Sequence, residues 1–125
     1  MRILLDQNTP APLRYALIGH QVETAYERGW SELSNGKLIA EAESAGFDVL
    51  ITSDQSIPYQ QNWSGRKLGL LILSTNDWTR IRKFKQGLLE AVNSMQRATC
   101  VSLARSHEAT ETFRIAVLEQ NRYRR

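Results

Sequence analysis

Hydrophobic and polar positions follow two periods along this chain, one typical of strands and one typical of helices. Continuous apolar runs bounded by polar residues predict strands that are buried on both faces of a sheet. The predicted strands cover residues 3–5, 22–25, 47–53 and 68–73, and the second of them is the weakest.

Apolar residues spaced three and four positions apart predict helices between these strands. One helix begins after Pro10, a second begins after Ser34 and ends at Gly46, and a third covers residues 78–95. Strands that alternate with helices in this way build a mainly parallel sheet with helices on its faces. The sequence therefore predicts a single α/β domain over residues 1–125.

The pattern weakens after residue 95. Residues 99–103 suit a strand, whereas residues 112–118 suit a strand or a helix equally well. The basic end of the chain, residues 121–125, is expected to be a flexible tail.

Composition places the chain among small globular proteins, because its 125 residues are enough for one core and 42% of them are apolar. A single cysteine, Cys100, excludes an internal disulfide and a cysteine-rich zinc site. No apolar run reaches the roughly 18 residues of a membrane span, and the first ten residues lack the pattern of a signal peptide. We therefore expect a cytoplasmic protein that does not bind a membrane.

Charge is divided unevenly between the two halves of the chain. Residues 1–65 carry four basic and eight acidic side chains, whereas residues 66–125 carry twelve basic and five acidic ones. This division suits a protein that holds a metal ion and a phosphate group. It suits equally well two halves that neutralise each other.

Polar side chains follow two of the predicted strands at the point where each strand ends. Asp6 comes directly after the first strand and Asp54 directly after the third. Because the carboxyl ends of parallel strands meet at one edge of a sheet, both carboxylates are expected at that edge, which we call the rim. The second helix starts at the same edge, so that Asn35 in its first turn joins them, and Asn8 lies just beyond Asp6.

Two carboxylates and two amide oxygens form a ligand set that suits a hard divalent cation. The sequence therefore predicts that Asp6 and Asp54 hold Mg²⁺ or Mn²⁺, while Asn8 and Asn35 orient a water molecule or a phosphate. The alternative for all four residues is an ordinary structural role in turns or at a helix start.

Two segments carry side chains suited to a nucleic acid. The segment after Asp54 interleaves aromatic, amide and basic residues, which can stack on bases and hold phosphates, although a plain surface loop fits this composition equally well. A basic stretch opens the third helix, where positive charge opposes the helix dipole unless a phosphate offsets it or solvent covers it. The candidate nucleic-acid ligands are Tyr59, Gln61, Asn62, Arg66, Lys67, Arg80, Arg82 and Lys83.

Other polar residues have simpler explanations. Asp77 fits the N-cap of the third helix better than a metal ligand, and Glu41 and Glu43 fit a solvated helix face. His20 and His107 have no partners at the spacing of a metal site or a catalytic triad, so surface roles are expected for both.

Several of these stretches, taken together, resemble the small bacterial PIN-like proteins, predicted nucleases that are considered toxin components of toxin–antitoxin pairs. The resemblance covers roughly residues 1–75. The matching stretches are residues 4–8 with Pro10, 27–30, 33–36, 45–54, and 59–62 with residues 65 and 66.

The resemblance implies a PIN-like three-layer α/β/α sandwich with a mainly parallel central sheet. It implies metal-dependent cleavage of RNA by a toxin, with a cognate antitoxin as partner and a homodimer as the common assembly. It also carries Asp6 and Asp54 onto the acidic rim positions of the family, in agreement with the strand order. Where many relatives have further acids, this chain has Gln7, Asn35, Gln55 and Ser56.

Two alternatives accompany the nuclease hypothesis. A PIN-like module with too few carboxylates would bind RNA or a partner protein without cleavage, since metal affinity falls with the charge of the ligand set. A phosphoacceptor of response-regulator type would also place acids at strand ends. That class needs an acid pair after the first strand, where Gln7 stands, and a lysine after a late strand, which this chain lacks.

Overall fold

The computed structural model describes residues 1–54 and 67–95, together with the backbones of residues 100–105 and 113–118. The strands within this part of the chain are β1 (Arg2–Leu5), β2 (Gln21–Thr24), β3 (Val49–Thr52), β4 (Gly69–Leu73), β5 (Cys100–Arg105) and β6 (Phe113–Leu118). They form one sheet in the order β2–β1–β3–β4–β5–β6, in which all neighbours are parallel except the antiparallel pair β5–β6. The small α/β fold and its mainly parallel sheet, predicted from the sequence, are therefore confirmed.

Helical segments connect the strands of this sheet. A 3-10 helix over Ala11–Ala16 links β1 to β2, and α1 (Asn35–Ser44) links β2 to β3. After β4 come α2 (Trp78–Ile81), a 3-10 turn over Arg82–Phe84, and α3 (Lys85–Ser94). Among the described residues, no helix is long and apolar enough to cross a membrane.

Two sequence-based expectations about these elements need correction. The first helix is 3-10 rather than α and is only six residues long, as is typical of short 3-10 segments. The helix expected over residues 78–95 is interrupted where Phe84 leaves the helical region at φ −122° and ψ 25°. The interruption lies within the basic stretch, whose like charges disfavour a continuous helix.

The last uncertain element is a strand. Phe113–Leu118 pairs with Cys100–Arg105 in antiparallel register, as suits its alternating aromatic and β-branched residues. His107 and the tail at residues 121–125 lie outside the described residues.

Side chains of the central strands pack on both faces of the sheet. Ile3, Leu5 and Ile51 lie in one buried cluster with residues of the Ala11–Ala16 helix and of α3. Leu4 and Leu50, which alternate with them, lie in a second cluster with residues of α1. Burial on both faces explains why β1 and β3 are continuous apolar runs and why their ends are fixed in space.

The amino-terminal edge of the sheet holds the end of α1. The guanidinium of Arg2 lies 4.4 Å from the centroid of the Phe47 ring and donates a hydrogen bond to the carbonyl of Ala45, just after the helix. Gly46 has a φ of +86°, and a Cβ there would lie 3.1 Å from Nη1 of Arg2. The chain therefore needs glycine at this turn, both for its backbone conformation and for the space that Arg2 occupies.

A tightly bonded turn follows β2. The backbone N–H of Thr24 donates to Oε1 of Glu27 at 2.9 Å, and the Thr24 hydroxyl accepts from the Glu27 N–H at 3.0 Å. Arg14 of the 3-10 helix reaches the same carboxylate through both of its terminal nitrogens. The Arg14 hydrogen bond, followed by the Thr24 backbone bond, holds the pKa of Glu27 below its ordinary value.

We expect the contribution of Glu27 to stability to depend on pH. Because the pKa of its carboxyl is lowered in the folded chain, its stabilisation is full above the unfolded pKa of about 4.3 and is lost as pH falls through the folded pKa. Thermal melts of Glu27→Gln and of the parent should therefore differ at pH 7 and converge below about pH 4. A melting difference that is constant from pH 7 to pH 3 would contradict this role.

Candidate functional site

The register between β1 and β3 places Asp6 beside Thr52. Leu5 pairs with Ile51 in this parallel ladder, and the N–H of Asp6 donates to the carbonyl of Ile51 at 2.9 Å, so the next residue of each strand lies at the rim. The Thr52 hydroxyl donates to Oδ2 of Asp6 at 2.8 Å. The Asp6 side chain is therefore held beside a neighbouring strand.

Thr52 also contacts the second carboxylate-bearing residue. Its hydroxyl oxygen accepts a hydrogen bond from the backbone N–H of Asp54 at 3.1 Å. Thr52 is 0% exposed, so this single hydroxyl is a buried link between the two aspartates. Because an ionised carboxylate accepts hydrogen bonds and an N–H donates them, the direction of the Thr52 O–H is determined.

Asn35 joins this group from α1, the helix that packs on the sheet. It is the first residue of α1, and its Nδ2 donates to Oδ2 of Asp54 at 2.9 Å. Leu38, Ile39 and Ala42 bury the inner face of α1 against the sheet, which brings the start of the helix to the rim. The sequence-based expectation that Asn35 faces the rim is confirmed.

Asp6 is further held by its own chain. Its Oδ1 accepts the N–H of Gln7 at 2.7 Å, while its carbonyl oxygen accepts the N–H and the hydroxyl of Thr9 at 3.0 and 2.5 Å. The residue is only 8% exposed, and a charge at that depth costs free energy unless hydrogen bonds compensate. Within the described residues, no buried side-chain nitrogen or oxygen lacks a partner.

The chemistry of this group suits a hard cation with few protein ligands. Asp6 and Asp54 follow β1 and β3 at the carboxyl edge of the sheet, and each carboxylate accepts a hydrogen bond from a neighbouring polar side chain. Mg²⁺ is commonly held by one or two carboxylates while keeping several waters. The described part of the chain contains no group of three or more His, Cys, Asp or Glu side chains that could hold a metal ion.

Two other candidate site residues, Asn8 and Lys67, lie apart from this group. Asn8 is exposed and forms none of the hydrogen bonds that join Asp6, Thr52, Asp54 and Asn35. Lys67 precedes β4 at the amino-terminal edge of the sheet, and its N–H donates to Glu43 near the end of α1. The backbone of Lys67 therefore lies at the edge opposite the rim.

The basic stretch lies where β4 leads into α2. Arg80, Arg82 and Lys83 are all exposed. Asp77 caps α2, since its Oδ1 accepts the N–H of Thr79 at 3.0 Å and the Thr79 hydroxyl at 2.6 Å, which confirms the capping role expected from the sequence. The other candidate nucleic-acid ligands, Tyr59, Gln61, Asn62 and Arg66, lie outside the described residues.

Two residues that were expected only to face solvent, Glu43 and His20, form specific hydrogen bonds. Glu43 is half-buried, and its carboxylate accepts the N–H groups of Lys67 and Leu68, so it stabilises the start of β4 rather than only facing solvent. His20 connects α3 to the start of the chain. Its Nε2 lies 2.6 Å from Oδ1 of Asn93, and its Nδ1 lies 3.0 Å from the amino group of Met1.

Thr52 is the site residue that sequence reasoning missed. A threonine at the end of an apolar strand suits β structure by its branching alone, so its hydroxyl attracted no functional hypothesis. The signal that could reveal it is the alternation of side chains along β1 and β3. Leu5 and Ile51 face the cluster on one side of the sheet, so the residues that follow them, Asp6 and Thr52, face the other side, which α1 covers.

We expect Thr52→Val to destabilise the fold by about 2 kcal/mol, because it leaves a buried carboxylate oxygen of Asp6 without its hydroxyl donor. Thr52→Ser keeps the hydroxyl and should recover most of that loss. Urea unfolding of the three proteins at pH 7 measures both differences. Equal midpoints for the valine and serine variants would show that the hydroxyl has no such role.

Comparisons with protein-family models, with curated proteins and with solved structures find no match for this chain. The function must therefore be inferred from the four rim residues, Asp6, Asn35, Thr52 and Asp54, and from what surrounds them.

Proposed function

We propose that this chain is a metal-dependent endoribonuclease of PIN-like type that cleaves RNA with Mg²⁺ or Mn²⁺. The proposal includes the finer architecture, a three-layer α/β/α sandwich with helices on both faces of the sheet. It also includes the biological role implied by the resemblance, a cytoplasmic toxin that acts as a homodimer and is restrained by a cognate antitoxin.

The observation that supports it most is the hydrogen-bonded group at the rim. Asp6 and Asp54 come from different strands, and Thr52 and Asn35 hold them at one edge of the sheet. In open parallel sheets, ligands bind outside the carboxyl ends of the strands. The buried Thr52 hydroxyl joins the Asp6 carboxylate to the backbone of Asp54, so the two residues are linked within one hydrogen-bonded group.

Each rim residue has a distinct part in this proposal. Asp6 and Asp54 hold the cation, whose chemistry is to bind a phosphate oxygen and lower the pKa of an attacking water. Thr52 links the Asp6 carboxylate to the backbone of Asp54. Asn35 orients the Asp54 carboxylate through its amide N–H.

Positive charge near the rim would attract the RNA backbone. Arg80, Arg82 and Lys83 are exposed in the segment that follows β4, where Nε of Arg80 lies 3.9 Å from Oδ2 of Asp77. Phosphate contacts release counterions, so RNA binding should weaken as the salt concentration rises. The exposed amide of Asn8 is available to the same substrate.

We expect Asp6→Asn and Asp54→Asn each to lower the rate of RNA cleavage in Mn²⁺ by at least about 100-fold, since losing roughly 3 kcal/mol of charge stabilisation has that effect. The assay is digestion of a mixed RNA pool with and without a chelator. Glu41→Gln, an exposed acid on α1, is the matched control and should cleave like the parent. Cleavage that survives in both aspartate variants would refute the site.

A non-catalytic module remains the second candidate, because the described rim offers two carboxylates where nucleases of this type gather three or four. Such a module would bind RNA or a partner protein without a cation. The Asn35 amide, bonded to Asp54 where relatives carry an acid, is the feature that favours it.

Calorimetric titration with Mn²⁺ separates these two functions. For the nuclease we expect one Mn²⁺ per chain, and we expect Asp6→Asn to abolish the binding heat. RNA binding that is undiminished by chelator, together with no Mn²⁺ heat in the parent, would establish the non-catalytic module instead.

A further inference from the structure

Tyr26 is an exposed aromatic side chain in an otherwise well-held turn. It is 78% exposed and is the second residue after β2. The apolar contacts of the turn come from Ala25 and Trp30 instead. Ala25 is 1% exposed and belongs to the buried cluster beneath α1, and Trp30 packs against that cluster. Tyr26 itself therefore adds almost nothing to the core.

The position of Tyr26 is next to the carboxylates. Thr24 pairs with Leu5, and the N–H of Ala25 donates to the Leu5 carbonyl at 2.8 Å, so Ala25 lies alongside Asp6. With neighbouring strands about 4.8 Å apart and consecutive Cα atoms 3.8 Å apart, the Cα atom of Tyr26 lies within about 9 Å of that of Asp6. A nucleotide next to one held at the rim is within reach of the ring.

The turn that carries Tyr26 is rigid. Its backbone bonds run from Gly29 N–H to the Tyr26 carbonyl at 3.0 Å and from Trp30 N–H to the Ala25 carbonyl at 2.8 Å. Gly29 supplies the φ of +75° that closes the turn. The backbone that carries the ring is therefore ordered before any ligand arrives, which lowers the entropic cost of binding.

The surroundings favour a base over a protein surface as the ligand. Glu27 and Arg28 follow Tyr26 directly, and each is engaged in an ion pair, with Arg14 and Glu23 respectively. An aromatic ring flanked in sequence by paired charges differs from the contiguous apolar patch that usually marks a protein contact. The π-face of a nucleobase needs only one such ring.

We propose that Tyr26 is a stacking platform for an unpaired base of single-stranded RNA, next to the phosphate held at the rim. This inference rests on the proposed ribonuclease function. The faces of a base within a duplex are covered by its neighbours, so only an unpaired, splayed base can stack on Tyr26.

The test is binding of a short single-stranded RNA that contains one 2-aminopurine, measured in Mn²⁺ by stopped-flow fluorescence before appreciable cleavage occurs. We expect Tyr26→Ala to weaken binding about tenfold, which corresponds to the lower part of the range for one base–aromatic stack, and to remove the quenching of 2-aminopurine. Tyr26→Phe keeps the ring and should bind and quench like the parent.

Tyr15→Ala is the matched control, because Tyr15 is 79% exposed but lies on the 3-10 helix, about 8 Å along it from its first residue. This variant should bind like the parent. Equal binding by the Tyr26 and Tyr15 alanine variants would overturn the platform while leaving the ribonuclease untouched if the parent still cleaves RNA. A Tyr26→Ala variant that changes the oligomeric state but not RNA binding would show a protein contact and would also overturn it.

Failure of the function itself has a different signature. If the parent neither binds the oligonucleotide nor cleaves RNA in Mn²⁺, the ribonuclease proposal fails and the platform fails with it. If the parent cleaves a hairpin stem as well as a single strand, the function stands and the single-strand assignment is overturned.

Discussion

The site depends on the register of two parallel strands. Because Leu5 pairs with Ile51, the first residues beyond the ladder are Asp6 and Thr52, and a buried carboxylate meets a buried hydroxyl. A carboxylate at this depth is tolerated only when donors surround it, and Asp6 has the Gln7 N–H and the Thr52 hydroxyl. A shift of one residue would turn Asp6 to the other face and remove the contact.

The hydrophobic clusters enforce this register. Ile3 and Leu5 face one cluster, Leu4 faces the other, and the corresponding residues of β3 alternate in the same way. The apolar side chains therefore specify where the polar ones must lie, although none of them touches a ligand. Stability and function are coupled here through geometry, because packing that holds β1 against β3 also holds the two aspartates together.

The sequence was sufficient to place Asp6, Asp54 and Asn35 at one edge of the sheet, because each residue follows or begins an element with a strong hydrophobic pattern. It was insufficient for Thr52, whose role depends on which residue lies across the ladder, and for Lys67, whose position depends on the edge at which β4 begins. The interrupted helix near Phe84 also escaped prediction, since its apolar spacing continues through the break while the backbone does not. Local patterns predict elements, whereas pairings between distant residues require the fold.

Asn35 shows how a rim with two carboxylates can remain organised. An acid at that position would add charge for a cation, but it would also repel Asp54 and could not donate a hydrogen bond to it when ionised. The amide instead donates to Asp54 at 2.9 Å and neutralises none of its charge. Under the proposed function, a cation at this rim would bind through few protein oxygens and several waters, as Mg²⁺ commonly does, and substrate phosphates would supply further ligands. Metal binding would then depend on the substrate, so that occupancy should be greatest when RNA is present.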